Sequence, residues 1–243
     1  MATPVLSLRG VTKRFGGLVA VNKMDFDVTD REVLGLLGPN GSGKSTSLNL
    51  ISGALPLTAG RVSLWGNQIS GLPAEAINRK GVSRTFQLVR LLPSMTVREN
   101  VIAGAVFGHH RRWGQDAKDY AENLLEKVGL GGKGDMALGQ LTYIDTKRVE
   151  LARTLASDPK VLLLDEWLAG LNPTELQIGI TLIKSLRDEG RTIILVEHVM
   201  DAIRSLCDRC VVMAAGSKIA EGSPTQVLSD KEVIRAYLGD DDA

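Results

Sequence analysis

Residues 38–46 read Gly-Pro-Asn-Gly-Ser-Gly-Lys-Ser-Thr and match the spacing G-x-x-x-x-G-K-[ST] of a phosphate-binding loop. The apolar run 33–37 before the motif indicates a buried strand, and residues 45–51 after it indicate the start of a helix. This strand–loop–helix context is the one in which the motif binds phosphate. The motif therefore restricts the chain to folds that place a glycine-rich turn between a buried strand and a helix.

Each fixed position of this loop has a chemical role. Glycine lets backbone N–H groups approach phosphate oxygens without a Cβ in the way, and the helix N-terminus adds partial positive charge. Lys44 is expected to reach the β- and γ-phosphates, and the Ser45 hydroxyl is expected to bind Mg²⁺. The predicted nucleotide-binding residues of the loop are Gly38, Asn40, Gly41, Ser42, Gly43, Lys44, Ser45 and Thr46.

A second buried strand, 161–164, is followed by two acids, Asp165 and Glu166. A phosphate loop needs a carboxylate at the end of a neighbouring strand, and Asp165 is predicted to hold Mg²⁺, directly or through water. Glu166 is predicted to face the attacking water as its general base. The alternative, a strand that ends in two solvated acids, is disfavoured by the phosphate loop earlier in the chain.

Composition argues against several classes of function. The 243 residues have a net charge of +1 and 4% aromatic residues, which argues against nucleic acid as a partner. No apolar run approaches the roughly 20 residues that span a bilayer, and no export signal is expected from residues 1–4. Cys207 and Cys210 form a C-x-x-C pair without further metal ligands, so two reduced thiols are expected.

The periodicity of the chain predicts an α/β fold. Residues 5–33 alternate apolar and polar side chains between turn signals, the first of them at Gly10, which predicts a small antiparallel β-layer. Residues 96–157 show mainly helical spacing, and strands alternate with helices from 161 onward, which predicts a parallel core. Capping sequences predict that helices begin after Thr96, Asn172, Ser223 and Ser229.

With these motifs in this order, the chain resembles the ATP-binding subunits of ABC transporters nearly from end to end. The resemblance implies that Phe15 stacks on adenine, that Gln87 touches Mg²⁺ and the attacking water, and that His198 contacts the γ-phosphate. It implies ATP and Mg²⁺ as cofactors. It also implies a RecA-like P-loop NTPase core with an antiparallel β-layer, in one domain over 1–243 with a helical sub-lobe over about 88–157.

Within this family, four stretches are similar to the branched-chain amino-acid importers: 84–87, 93–97, 169–173 and 234–239. The similarity implies ATP hydrolysis that powers solute import at the cytoplasmic face of the inner membrane. The implied partners are membrane permeases, a second ATP-binding subunit and, indirectly, a periplasmic solute-binding protein. The solute itself is not readable from these residues.

The family's signature sequence, Leu-Ser-Gly-Gly-Gln or Leu-Ser-Tyr-Gly-Gln, is altered in this chain. The corresponding residues are Leu141, Thr142, Tyr143, Ile144 and Asp145. Ile144 puts a β-branched side chain where glycine lets the backbone approach phosphate, and Asp145 adds a negative charge. The family's proline after the two acids is also replaced, by Trp167. A degenerate signature favours a heterodimer with an intact partner; the alternative is that a small backbone shift accommodates Ile144 and both sites turn over.

Three further interpretations remain open. The chain could be a regulatory ATP-binding subunit with little hydrolysis, or the ATPase of an exporter of the lipopolysaccharide-transport kind. The segment 109–113, His-His-Arg-Arg-Trp, suggests a metal or lipid-headgroup role or a solvated loop, of which the loop is favoured.

Overall fold

The computed structural model describes residues 4–238. Its strands and longer helices, in chain order, are β1 (Leu6–Phe15), β2 (Leu18–Val28), β3 (Val33–Leu37), α1 (Lys44–Ile51), β4 (Ala59–Leu64), β5 (Asn67–Gln68), α2 (Ala74–Arg79), β6 (Val82–Arg84), α3 (Val97–Phe107), α4 (Gly114–Lys127), α5 (Tyr143–Ala156), β7 (Val161–Asp165), α6 (Pro173–Asp188), β8 (Thr192–Val196), α7 (Met200–Leu206), β9 (Arg209–Ala214), β10 (Ser217–Gly222), α8 (Pro224–Leu228) and α9 (Lys231–Leu238). The chain divides into two compact units. The first takes the described residues up to Ala74 and from Leu168 onward, and the second is Glu75–Trp167.

The first unit contains the predicted antiparallel layer, in the strand order β2-β1-β4-β5. It also contains β3, which pairs in parallel with β8 and β9, while β10 lies antiparallel on β9. Every residue of β3 and β8 is buried, as expected for parallel strands covered on both faces. The predicted α/β class, with its antiparallel layer, is confirmed.

Gly10 does not end a strand, so the turn predicted there is wrong. It lies inside β1 with a φ of 59°, where the pairing register with β2 slips between Leu8 and Val11. Gly60 of β4 packs against this irregularity, since a Cβ on Gly60 would lie 2.3 Å from the Gly10 carbonyl oxygen. A glycine within a strand thus marks a bulge and a close backbone approach here.

The second unit pairs β6 with β7 in parallel. Helices α3, α4 and α5 pack on one another around buried side chains that include Val101, Leu125 and Leu155. The side chain of Arg98 on α3 links two acids of this unit, Glu122 and Asp135. The segment predicted as a helical sub-lobe, about 88–157, lies within this unit, which also includes the two strands.

The helix caps follow the sequence closely. Capping boxes form at Thr96, Asn172 and Ser223, as predicted. The prediction at Ser229 is wrong: its hydroxyl donates to carbonyls of α8, and the carboxylate of Asp230 accepts the first free N–H groups of α9. Asp230 rather than Ser229 caps α9 because a carboxylate is the stronger acceptor at a helix N-terminus.

Four elements were not predicted from periodicity, namely α2, β5, β6 and β10. β6 has three residues and α2 has six, too few to show a period. Among residues 4–238, no helix has the length and apolar character needed to cross a membrane. No export signal was expected in residues 1–4, and residues 1–3 of that stretch lie outside the described residues.

Candidate functional site: a phosphate loop and a carboxylate turn

The phosphate loop lies in the first unit, between β3 and α1. Gly38, Gly41 and Gly43 have φ angles of 140°, 77° and 104°, which other residues rarely adopt. Two of these glycines also lack room for a side chain. A Cβ on Gly38 would lie 2.1 Å from the Met213 carbonyl oxygen, and one on Gly43 would lie 2.4 Å from the Ala20 carbonyl oxygen. Both the backbone conformation and the neighbouring strands therefore require glycine.

Lys44 is buried and folds over this loop. Its Nζ donates to the carbonyl oxygens of Gly38, at 2.7 Å, and Pro39, at 2.9 Å. The hydroxyl of Ser42 is also buried, and no group in residues 4–238 forms a hydrogen bond with it. A buried polar atom without a partner costs about 1–3 kcal/mol. The loop thus holds an ammonium group and an unsatisfied hydroxyl beside a helix N-terminus, which fits a phosphate ligand.

The other predicted nucleotide contacts of the first unit are accessible. Asn40 and Gly41 are exposed, and Ser45 and Thr46 lie half-buried in the first turn of α1. Phe15 ends β1 with 46% of its surface exposed, and the Lys13 ammonium lies 4.9 Å from the centroid of its ring. An exposed, positively flanked aromatic ring is suited to stacking on a purine.

His198 is exposed and lies just after β8. The residue before it, Glu197, is 1% exposed, and its Oε1 accepts a 2.6 Å hydrogen bond from the backbone N–H of Leu168. Glu197 therefore anchors the turn that carries His198, a role that the sequence reasoning did not assign.

The carboxylate turn, residues 165–167, lies in the second unit and begins at the end of β7. Asp165 is buried and pairs with the guanidinium of Arg84 at 3.0 Å, while its backbone N–H donates to the Thr85 hydroxyl at 3.3 Å. Oε2 of Glu166 accepts a 2.8 Å hydrogen bond from Nε2 of Gln87. The structure thus brings together Gln87 and Glu166, which are 79 residues apart in the chain.

The segment that carries Gln87 is held by Glu150 of α5, which the sequence reasoning missed. Its carboxylate accepts hydrogen bonds from the backbone N–H groups of Phe86, at 3.4 Å, and Arg90, at 2.9 Å. Burial raises the pKa of Glu150 above its ordinary value, although both hydrogen bonds oppose that shift. An acid on the buried face of a helix was the signal in the sequence, because such acids are rarely buried without a structural partner.

The altered signature forms the N-terminus of α5. The Thr142 side chain caps the helix by accepting from the backbone N–H of Asp145 at 3.2 Å. The Asp145 carboxylate is buried and pairs with Lys133 at 2.7 Å and with Arg148 at 3.6 Å. Its charge is therefore compensated within the unit, which weakens the expected repulsion of phosphate. Ile144 is half-buried and Tyr143 is exposed.

The two other motifs, the segment 109–113 and the C-x-x-C pair, are a loop and a pair of buried thiols. His109 bonds to the Arg79 carbonyl oxygen and His110 pairs with Asp158 at 2.9 Å, so the segment 109–113 is an exposed loop tied down at two points. Cys207 and Cys210 are both free thiols and buried. Residues 4–238 contain no cluster of three or more His, Cys, Asp or Glu side chains that could hold a metal ion by themselves.

Comparison with known protein families and curated proteins identifies close relatives. The family described as "ABC transporter" matches residues 21–169, and the family "Branched-chain amino acid ATP-binding cassette transporter" matches residues 217–243. The chain is 40% identical to the high-affinity branched-chain amino acid transport ATP-binding protein BraF of Pseudomonas aeruginosa and 39% identical to LivG of Escherichia coli. Each alignment covers 99% of this chain and 100% of the relative.

A relative named for export is also similar. The chain is 38% identical to the Nod factor export ATP-binding protein I of Burkholderia lata, over 98% of this chain and 78% of that protein.

Solved structures agree with the fold. MJ1267, an ATP-binding cassette of an ABC transporter, superposes with a TM-score of 0.89 at 30% identity, covering 98% of this chain and 100% of that one. The ADP conformation of the same cassette gives a TM-score of 0.88 at 30% identity and the same coverage. The predicted P-loop NTPase fold is confirmed by these neighbours.

Proposed function

Because this chain belongs to the ABC transporter family of ATP-binding proteins, we propose that it powers the import of branched-chain amino acids or related polar solutes. ATP hydrolysis coupled to transport is the activity of this family. The observation that carries the choice of solute is the 40% identity to BraF and 39% to LivG over the full length of both relatives. The match over 217–243 to a family named for branched-chain amino acids supports import over the export function of the Burkholderia relative.

We propose that ATP is bound by the phosphate loop and by Phe15. The closely packed glycines, the Lys44 ammonium and the unsatisfied Ser42 hydroxyl support this role. Hard oxygen donors are what Mg²⁺ prefers, and Ser45, Gln87 and Asp165 each carry one. Mg²⁺ would bind together with the phosphates, where it would neutralise their charge.

Glu166 is proposed as the general base, with Gln87 and His198 as its helpers. The carboxylate of Glu166 would accept a proton from water, and the Gln87 amide, which bonds to its Oε2, would hold it in one orientation. His198 and Lys44 would stabilise the charge that develops on the transferred phosphoryl group.

The proposed assembly has the chain at the cytoplasmic face of the inner membrane. Two permeases, a second ATP-binding subunit and a periplasmic solute-binding protein complete it. The altered signature, with Ile144 in the place of a glycine, supports a heterodimer in which one composite ATP site is degenerate.

Reconstitution in vesicles tests the proposed function. The chain, the permeases and the second ATP-binding subunit are purified together and inserted into liposomes that contain ATP. Leucine, isoleucine or valine, added outside with the solute-binding protein, should accelerate ATP hydrolysis and accumulate inside. ATP-driven efflux would contradict import. ATP binding without turnover in any combination of subunits would favour the regulatory alternative.

Replacement of Ile144 by glycine tests the degenerate signature. Glycine restores room for a backbone N–H at the partner's γ-phosphate, and one such donor is worth roughly 10²–10³ in rate. We expect the Ile144→Gly chain to hydrolyse ATP about tenfold faster than the natural chain, less than the full value because Asp145 still departs from the family's signature. Steady-state ATPase assays and ATP-driven dimerisation of the isolated chain measure the effect.

A matched control comes from the partner subunit. Destruction of its own signature should silence the natural complex almost completely, because that signature completes the competent site. Retention of about half the activity would show that both ATP sites turn over. It would favour the alternative in which a small backbone shift accommodates Ile144.

A further inference from the structure

A buried lysine and a buried tryptophan hold the main chain on both sides of the peptide bond after Glu166. Nζ of Lys147 donates to the carbonyl oxygens of Glu166, at 3.3 Å, and Trp167, at 3.0 Å. In return, Nε1 of Trp167 donates to the carbonyl oxygen of Lys147 at 3.2 Å. Both side chains are 3% exposed. These reciprocal hydrogen bonds, named here the Lys147–Trp167 clamp, join α5 to the carboxylate turn.

The backbone at Glu166 needs such support. Its φ is 50°, in the left-handed region, which non-glycine residues adopt only where the surrounding structure holds them. A proline at position 167 would push residue 166 towards extended backbone, so the replacement of the family's proline by tryptophan permits this conformation. The tryptophan also supplies the N–H that ties the turn to α5.

The lysine is suited to the same task. An ammonium group is buried only where it is well compensated, because its removal from water is costly. Two of its partners are the carbonyl oxygens described above, and its Nζ also lies 5.3 Å from the centroid of the Tyr143 ring, within range of a cation–π attraction. A compact ammonium that bonds two successive carbonyl oxygens fixes the orientation of the two peptide groups to which they belong.

We propose that the Lys147–Trp167 clamp is a positioning device that fixes the main chain of Glu166 and thereby aims its carboxylate for hydrolysis. The proposal rests on the proposed role of Glu166 as the general base. Neither clamp side chain is a catalytic residue. The clamp acts on the catalytic step and leaves ATP binding to the phosphate loop, which is in the other unit.

The test replaces one hydrogen-bonding group at a time in the full complex with its permeases and second ATP-binding subunit. Lys147→Met keeps the length of the side chain and removes the ammonium, and Trp167→Phe keeps a large ring and removes the N–H. A displacement of about 1 Å at a catalytic group can cost on the order of 10²-fold in rate. We expect kcat to fall about tenfold or more in each variant, with KM for ATP unchanged.

Two controls separate positioning from simple loss of stability. Val101→Ala opens a cavity among α3, α4 and α5 and lowers the melting temperature, yet it should leave kcat unchanged in the folded complex. In the Glu166→Gln background, Lys147→Met should cause no further loss, because the carboxylate that the clamp aims is absent.

The outcomes are distinct. Unchanged kcat in both clamp variants, in a complex that Glu166→Gln inactivates, would overturn the clamp and leave the proposed function intact. A loss that adds fully to that of Glu166→Gln would also overturn it. Turnover that survives Glu166→Gln would contradict the proposed base itself. If the Lys147→Met variant fails to fold, the kcat of Trp167→Phe alone tests the clamp. That substitution buries no new polar atom.

Discussion

The Glu166→Gln variant is expected to bind ATP with Mg²⁺ normally and to hydrolyse it at least on the order of 10²-fold more slowly. Glutamine keeps the size of the side chain, and its carbonyl oxygen can still accept from the Gln87 amide, which bonds to Glu166 at 2.8 Å. What is lost is the basic oxygen that would take a proton from water. The measurement is kcat in a steady-state ATPase assay, beside an equilibrium titration of ATP binding.

A matched variant shows whether the effect belongs to this position. Glu126→Gln makes the same chemical change at an exposed site on α4 of the same unit and should leave kcat unchanged. Because the Glu166→Gln complex binds ATP without consuming it, we also expect it to accumulate in an ATP-loaded form that gel filtration detects. If turnover stays within a few-fold of the natural rate, the base lies elsewhere.

The Lys44→Ala variant is expected to lose both ATP affinity and turnover. Hydrogen bonds to a charged group contribute about 1.5–3 kcal/mol, and every 1.4 kcal/mol is a factor of ten in Kd. We therefore expect ATP affinity to fall roughly tenfold to a hundredfold, and hydrolysis to become undetectable because charge on the transferred phosphoryl group is no longer offset. Calorimetric titration with ATP and the ATPase assay measure the two effects.

Lys218→Ala is the control for removal of a lysine charge in the first unit. Lys218 is a surface residue of β10 that pairs with Glu221 at 2.7 Å, and such pairs contribute little. Its ATP affinity should equal that of the natural chain. Since Lys44 also bonds the Gly38 and Pro39 carbonyl oxygens, thermal unfolding without nucleotide shows how much of the effect comes from the loop itself. Unchanged ATP affinity in Lys44→Ala would refute the assignment of the phosphate loop.

Local patterns in the sequence were sufficient for several parts of the protein. The loop 38–46 was recognisable because a turn that cradles phosphate needs glycine at fixed spacing, and the structure places α1 at its end. The capping boxes at Thr96, Asn172 and Ser223 were readable because each involves side chains three residues apart. Strands such as β7 and β8 were readable because burial on both faces leaves an unbroken apolar run.

Local patterns gave wrong predictions where one residue type is compatible with two different local structures. Gly10 permits a positive φ in a turn and in a bulge alike, and only the pairing of β1 with its neighbours showed which it is. Ser229 and Asp230 both match a helix cap, and the competition between their acceptors decided it.

The contacts that prepare the candidate site appeared only in the tertiary structure. Arg84 pairs with Asp165, Gln87 bonds Glu166, and the hydroxyl of Tyr237 accepts from the Gly38 N–H at 2.8 Å, across 81, 79 and 199 residues of chain. Contacts at such separations leave no periodic or spaced pattern, because each depends on how distant elements pack. The sequence by itself determined the fold class, the family and the chemical groups at the site. Packing alone decided which groups hold Glu166, Asp165 and the phosphate loop in place, since a side chain's partners are set by proximity in space.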